Sequence, residues 1–187
     1  EAQHERTPPE GQAFPEFDPS VHVCEPFPIP ESWPRWRAVD YGYAVPYGHL
    51  WFARSPVGRI YAYREGYGQR KTAGEQAYAM RLASAGEKYF VSVGDPAMWA
   101  SQREGQRFQS VADQYGEMGV QLTPATNERL AGKALVHRAM EWGEQAPPVL
   151  QVFRTCHNLI RTLPMLPVDP NKPEDVDTTA EDHLYDA

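Results

Sequence analysis

The sequence predicts an α/β domain in which a mixed sheet is flanked by helices. Two observations carry this expectation. Three short β-rich runs follow one another between residues 36 and 63, and from residue 72 onward helix-spaced and strand-like runs alternate. A third observation sets the size: 187 residues, 41% of them hydrophobic and 12% aromatic, suffice for one core of ordinary dimensions.

Residues 1–32 are rich in Pro and Glu, and Pro8, Pro9, Pro15, Pro19, Pro26, Pro28 and Pro30 interrupt regular ladders. This segment is expected to be a linker or extended arm, with the domain proper at 33–187. Trp36 to Asp40 reads as a strand, and Tyr41 to Gly48, containing Gly42 and Pro46, as the turn after it. His49 to Ala53 and Arg59 to Tyr63 flank Ser55-Pro-Val-Gly58, a hairpin signal, so the first three strands form an antiparallel meander. Thr72 to Ala85 has helical spacing, with Thr72 as N-cap and Glu75 at the capping-box position. Lys88 to Val93 reads as a strand that ends at Gly94-Asp95-Pro96. A helix over Phe108 to Glu117, a strand at Val120 to Thr123, a helix from Asn127 to Trp142 and a strand at Val149 to Phe153 complete the alternation. Cys156 to Met165 is expected to be helical, Pro167 to Pro173 to break that helix, and Thr179 to Ala187 to begin a terminal one. Three antiparallel strands followed by alternating helices and parallel strands is the order of a ribonuclease H-like sheet.

Charge is segregated along the chain. The net value is −7, yet Glu1 to Glu31 holds seven acids and one base, Met165 to Ala187 the same, and Trp33 to Pro164 has 16 Lys/Arg against 11 Asp/Glu. A moderately basic body between acidic ends is compatible with binding a phosphate backbone. No apolar run approaches the roughly 20 residues of a membrane span, and the polar start lacks the apolar core of a signal peptide. A soluble, intracellular protein is expected. Cys24 and Cys156 sit in no zinc-binding spacing and are expected to be reduced.

Asp40 and Asp95 each end an expected core strand. For a lone Asp the ordinary reading is a turn cap. Two acids at the ends of neighbouring strands repel, however, and a bound cation keeps both ionised. At the C-terminus Glu181-Asp-His-Leu-Tyr-Asp186 puts Asp182 and Asp186 four apart, on one helical face, with His183 about 100° round. Glu181 reads as a solvated acid at a helix start. Asp182, His183 and Asp186 read as ligands: hard oxygens suit Mg²⁺ or Mn²⁺, and Mn²⁺ tolerates one imidazole. His137 and His157 read as structural histidines, and the Tyr and Trp residues as core.

The segments His22 to Pro30, Trp36 to Gly42, Val93-Gly-Asp-Pro96, Thr123 to Arg129 and Glu181 to Ala187 resemble the large terminase subunit of tailed double-stranded DNA bacteriophages, in the order of its C-terminal nuclease domain. The terminal Asp-His-x-x-Asp-Ala is the most specific part of this resemblance. It implies a ribonuclease H-like endonuclease that cuts concatemeric viral DNA during genome packaging in the host cytoplasm, using two Mg²⁺ or Mn²⁺ ions. Asp40 would be the first-strand acid and bridging ligand, Asp95 the second acid, and Asp182, His183 and Asp186 the C-terminal ligand cluster. The implied partners are double-stranded DNA and, in the full-length protein, an N-terminal packaging ATPase, the small terminase subunit and the portal. Nothing in the chain fits G-x-x-x-x-G-K-[ST], so the ATPase would lie outside it. Arg129, Lys133 and Arg138 are candidate phosphate contacts from the Asn127 to Trp142 helix, and Arg70 and Lys71 could form a DNA-facing loop. Two rival readings remain at this point: another ribonuclease H-like nuclease, such as a resolvase or integrase, or a non-catalytic docking domain.

Overall fold

The computed structural model describes residues 11–104, 107–126 and 128–187. Strands β2 (Arg35–Asp40), β3 (Tyr47–Arg54) and β4 (Ile60–Gly68) form the antiparallel meander, turned at Ser55-Pro-Val-Gly58, where Gly58 takes φ 86°. Beside β2 runs β5 (Val91–Gly94) in parallel, followed by the two-residue β8 (Thr123–Pro124). On the other flank β9 (Leu150–Phe153) is parallel to β4 and carries β1 (Val23–Cys24) at its outer edge. The seven strands lie in the order β1-β9-β4-β3-β2-β5-β8, and the central meander with parallel β5 and β8 is the ribonuclease H-like arrangement. A separate ribbon pairs β6 (Gln102–Glu104) with β7 (Arg107–Gln109).

Alternation along β2 and β3 sends side chains to two faces. Toward one face go Arg37, His49 and Trp51, covered by α2 (Ala73–Ala83) and α3 (Val111–Glu117). Arg37 and the Trp51 indole both donate to the Ser84 hydroxyl, and His49 meets the Tyr115 hydroxyl at 2.8 Å. Both helices start on reciprocal capping boxes, Thr72 with Glu75 and Ser110 with Asp113. Toward the other face go Gly48, Leu50 and Glu65, where α5 (His157–Thr162) and the terminal turn α6 (His183–Asp186) pack. The Glu65 carboxylate caps α5 by accepting the N–H groups of Asn158 and Leu159. The remaining helix, α4 (Arg129–Met140), follows β8.

Several boundaries differ from the sequence expectation. Residues 11–32, expected as part of a linker or arm, form the helical turn α1 (Pro19–His22) and edge strand β1, and they bury Phe14, Phe17 and His22. Phe14 packs on the rings of His137 and Tyr185, and the His22 ring bonds the Met140 carbonyl at 2.8 Å. Each buried aromatic contributes about 1.5–3 kcal/mol, enough to hold a Pro-interrupted segment against the domain. The first ten residues of that expectation, and Asn127 of the expected helix, lie outside the described residues. Phe108 belongs to β7, so the following helix starts at Ser110, whose side chain caps it. Val120 is fully buried, but only Thr123 and Pro124 join the sheet. The terminal helix is confined to residues 183–186, because the Asp177 carboxylate turns the chain at Thr179 and an Ala180–Asp182 turn follows. Cys24 and Cys156 are free thiols. No helix among the described residues is long and apolar enough to cross a membrane.

Candidate metal centre

Strand β2 delivers Asp40 to the end of the sheet, paired across from Gly48 of β3. Gly48 has no room for a side chain: a Cβ there would lie 2.4 Å from the His183 carbonyl oxygen. The C-terminal turn therefore rests directly on the β3 backbone, and this contact brings His183 to Asp40. Nδ1 of His183 lies 3.0 Å from Asp40 Oδ2, with both side chains less than one-fifth exposed. In the adjacent parallel strand Val39 pairs with Gly94, so Asp40 and Asp95 occupy the next positions of neighbouring strands, whose spacing is about 4.8 Å. Asp95 is exposed, and its Oδ1 accepts from the Ala97 N–H at 2.6 Å, so it also acts as the turn cap expected of a lone Asp.

Asp182 is 3% exposed, and its Oδ2 has no hydrogen-bond partner. Burial above all, with the charge of Asp186 adding to it, pushes its carboxyl up to about 7, against the opposing pull of His183. Asp40 is pushed up to about 6, again chiefly by burial, while the His183 hydrogen bond pulls it down and the charges of Asp186 and Asp95 raise it further. Asp40, Asp95, Asp182, His183 and Asp186 thus share one electrostatic neighbourhood at one sheet edge. Asp186 is held by Arg129, whose Nη1 lies 3.2 Å from both carboxylate oxygens; Arg129 Nε also lies 3.5 Å from Asp175. Asp95, Arg129 and Asp186 line a cleft of about 190 Å³.

The donor chemistry of this edge, four carboxylates and one imidazole, fits a hard divalent cation, and the unpartnered buried oxygen of Asp182 is the kind of atom such an ion would satisfy. Among the described residues, however, no three His, Cys, Asp or Glu side chains are arranged as a ready metal-holding group. The five residues share an edge without forming a closed coordination shell.

The expected DNA contacts divide. Arg70, Lys71 and Arg138 are exposed. Lys133 is not: it is 6% exposed, and its ammonium donates to the Glu174 carbonyl at 3.0 Å, because this face of α4 is turned onto the 169–176 loop. Arg129 is ion-paired with Asp186 and Asp175, although its side chain keeps about one-third of its exposure. Of the histidines read as structural, His137 meets the Glu16 carboxylate through Nδ1, and His157 is exposed. Glu181, read as a solvated acid, is instead tied to Arg161 at 2.6 Å and to the Tyr67 hydroxyl, which pins the turn just before Asp182. Sequence reasoning missed Gly48, Glu65 and the Arg129–Asp186 pair. Of these, only a glycine inside a β-rich run carried a signal, that of close backbone approach.

No family model matches the chain, and no curated protein does. Solved structures do. The nuclease domain of the P22 large terminase superposes with a TM-score of 0.75 at 18% identity, covering 97% of this chain and 90% of that one. The chain has the fold of a large terminase nuclease domain. A large terminase from a thermophilic bacteriophage superposes with a TM-score of 0.76 at 17% identity over 95% of this chain, which spans only 44% of that protein. The large terminase nuclease of thermophilic phage G20c, solved with bound cobalt, superposes with a TM-score of 0.62 at 11% identity, covering 96% and 95% of the two chains. A G20c structure with bound zinc gives 0.52 at 12% identity, covering 81% and 85%.

Proposed function

We propose that this chain is a terminase nuclease domain, a divalent-metal-dependent endonuclease that cuts concatemeric double-stranded viral DNA during genome packaging. The observation that supports this most is the convergence of Asp40, Asp95, Asp182, His183 and Asp186 on one edge of a ribonuclease H-like sheet, with two of the carboxyls raised chiefly by burial and further by the neighbouring carboxylates. Two Mg²⁺ or Mn²⁺ ions held by these residues would supply the acidification of an attacking water and the neutralisation of charge on the leaving 3′ oxygen. Asp40 would be the bridging ligand, Asp95 the second acid, and Asp182 or Asp186 the direct ligand from the C-terminal turn. His183 orients the Asp40 carboxylate through Nδ1. Arg70, Lys71 and Arg138 attract the phosphate backbone from solvent-exposed positions. The cobalt and zinc bound by the G20c nuclease support a metal-dependent reading.

In the full-length protein, an N-terminal packaging ATPase would supply translocation, and the small terminase subunit and portal would be further partners, in the host cytoplasm. Supercoiled plasmid incubated with the domain tests the central reading. Nicked and linear products are expected with Mg²⁺ or Mn²⁺ and are expected to vanish with EDTA or Asp40→Asn. Intact plasmid under every metal condition would leave the docking-domain reading in its place.

A further inference from the structure

We infer that the turn at 41–46 and the segment 69–71 form one DNA-gripping finger beside Asp40: Arg70 and Lys71 meet backbone phosphates, and Tyr43 and Val45 pack on sugars and base edges of the minor groove. This rests on the reading above that Asp40 addresses a phosphodiester of duplex DNA.

The two segments are a single mechanical unit. The Arg70 N–H donates to the Tyr43 carbonyl at 2.9 Å, and the Gln69 side-chain amide donates to the Ala44 carbonyl. From beneath, the Gln76 amide donates to the carbonyls of Gly42 and Lys71 at 2.7 and 2.8 Å, one in each segment. Gln76 is itself 1% exposed and held by the Tyr115 hydroxyl at 3.1 Å, which His49 of β3 meets in turn. The turn folds back tightly at Gly42, where a Cβ would come within 2.2 Å of the Pro46 carbonyl oxygen. A rigid scaffold thus holds a short, well-defined tip.

That tip presents a chemistry suited to DNA. Tyr43 and Val45 are 53% and 54% exposed, an apolar pair at a loop apex flanked by two cations. Glu75, the acid nearest to Lys71 along the chain, is turned back onto the Thr72 N–H and hydroxyl. Arg70 takes φ 60°, a left-handed conformation that costs an arginine free energy and persists only where surrounding bonds impose it. The tip is also close to the site. Tyr43 is three residues from Asp40, at most about 11 Å along an extended chain, and duplex DNA rises 3.4 Å per base pair, so a strand seated at Asp40 runs past the tip within about three base pairs. Proteins that bind the minor groove combine basic side chains with, frequently, apolar ones.

The test is fluorescence anisotropy of a labelled 24-base-pair duplex, read in EDTA over a salt series, with plasmid cleavage in Mg²⁺ or Mn²⁺ followed separately. Replacing Tyr43 and Val45 together (Tyr43→Ala, Val45→Ser) is expected to weaken binding about tenfold at every salt concentration, leaving the log–log salt slope unchanged. Arg70→Asn, which keeps a residue tolerant of the left-handed conformation, and Lys71→Ala are each expected to lower that slope by about one. Melting temperatures of these surface variants should match the parent. If the parent binds and cuts duplex while all three variants keep parental affinity and slope, the finger is overturned and the nuclease reading stands. If the parent neither binds nor cuts, the nuclease reading fails, and the finger fails with it.

Discussion

Nδ1 of His183 lies 3.0 Å from Oδ2 of Asp40 although 143 positions separate them, and the contact exists because Gly48 lets the last turn of the chain sit on the β3 backbone. The acid expected to bridge two ions is therefore oriented by a residue from the opposite end of the domain. Replacing His183 with Gln should lower plasmid cleavage by roughly 10–100-fold, the effect of losing an orienting partner. Asp40→Asn should abolish cleavage. Equal losses in the two variants, measured across a Mg²⁺ and Mn²⁺ series, would refute the orienting role.

Because Asp182 is buried and Asp40 half-buried, their charges oppose folding in the ion-free protein, and removing them should help it. Asp40→Asn and Asp182→Asn are expected to melt higher than the parent at pH 8 in EDTA. Added Mn²⁺ should raise the parent's melting temperature and leave that of Asp40→Asn nearly unmoved, since ligand binding to the folded state stabilises by mass action. Calorimetry of the three proteins with and without Mn²⁺ reads this directly. Neutral variants that melt well below the parent in EDTA would show that these carboxylates are structural partners.

Gly48→Ala isolates the role of close approach. Its Cβ would need the space of the His183 carbonyl, and backbone cannot yield as a side-chain tip can. The terminal turn is expected to lift from β3 at a cost of roughly 1–3 kcal/mol, and cleavage should fall to the level of a chain lacking residues 182–187. Full activity in Gly48→Ala would show that the terminal turn does not need this seat.

Much of this architecture was legible because its signals are local. The Thr72–Glu75 capping box, the Ser55 to Gly58 hairpin and the ends of β2 and β5 at Asp40 and Asp95 each depend on a few adjacent residues, and all are found as expected. What the sequence hid depends on partners far along the chain. Phe14 and Phe17 sit among prolines without periodicity, and their burial follows from Tyr185, His137 and His22, which local pattern does not connect to them. Lys133 and Arg129 read as candidate phosphate contacts because their partners Glu174, Asp175 and Asp186 lie more than 40 positions away. The same distance hid the seat of His183 on Gly48. Spacing placed Asp182, His183 and Asp186 on one helix, but a single turn beginning at His183 leaves Asp182 outside it as the cap residue.

The different environments of the basic residues make a direct comparison possible. Arg138→Ala should lower the salt slope of duplex binding by about one, as loss of a phosphate contact does. Lys133→Met and Arg129→Ala should leave the slope unchanged, since one ammonium is buried on a carbonyl and the guanidinium is engaged by two carboxylates. Arg129→Ala should instead lower the melting temperature. A slope reduced in Lys133→Met would mean that the lysine turns outward on binding DNA.

The last expectation concerns acid. His49 is 2% exposed, its ring nitrogen meets the Tyr115 hydroxyl, and burial, reinforced by the charge of Arg37, depresses its pKa from 6.5 to about 3. Between those values the unfolded chain binds a proton at this position that the folded chain excludes, so stability is fully present above about 6.5 and declines as pH falls toward 3. Glu87 acts lower on the scale. Burial alone would raise its carboxyl, but hydrogen bonds from Arg64, Tyr89 and Tyr63 outweigh that and hold it at about 2, so its contribution is lost only as pH falls below its ordinary 4.5. Asp40 and Asp182 have the opposite sign, since their raised pKa values relieve strain as pH falls from about 7. The contribution of His49 is therefore isolated by comparison with His49→Gln, which cannot take up a proton and still offers an N–H to Tyr115. From pH 7.5 to pH 5 the parent's melting temperature should fall further than that of His49→Gln. Parallel curves would place the acid sensitivity elsewhere, and a steeper fall in the variant would contradict a neutral buried His49.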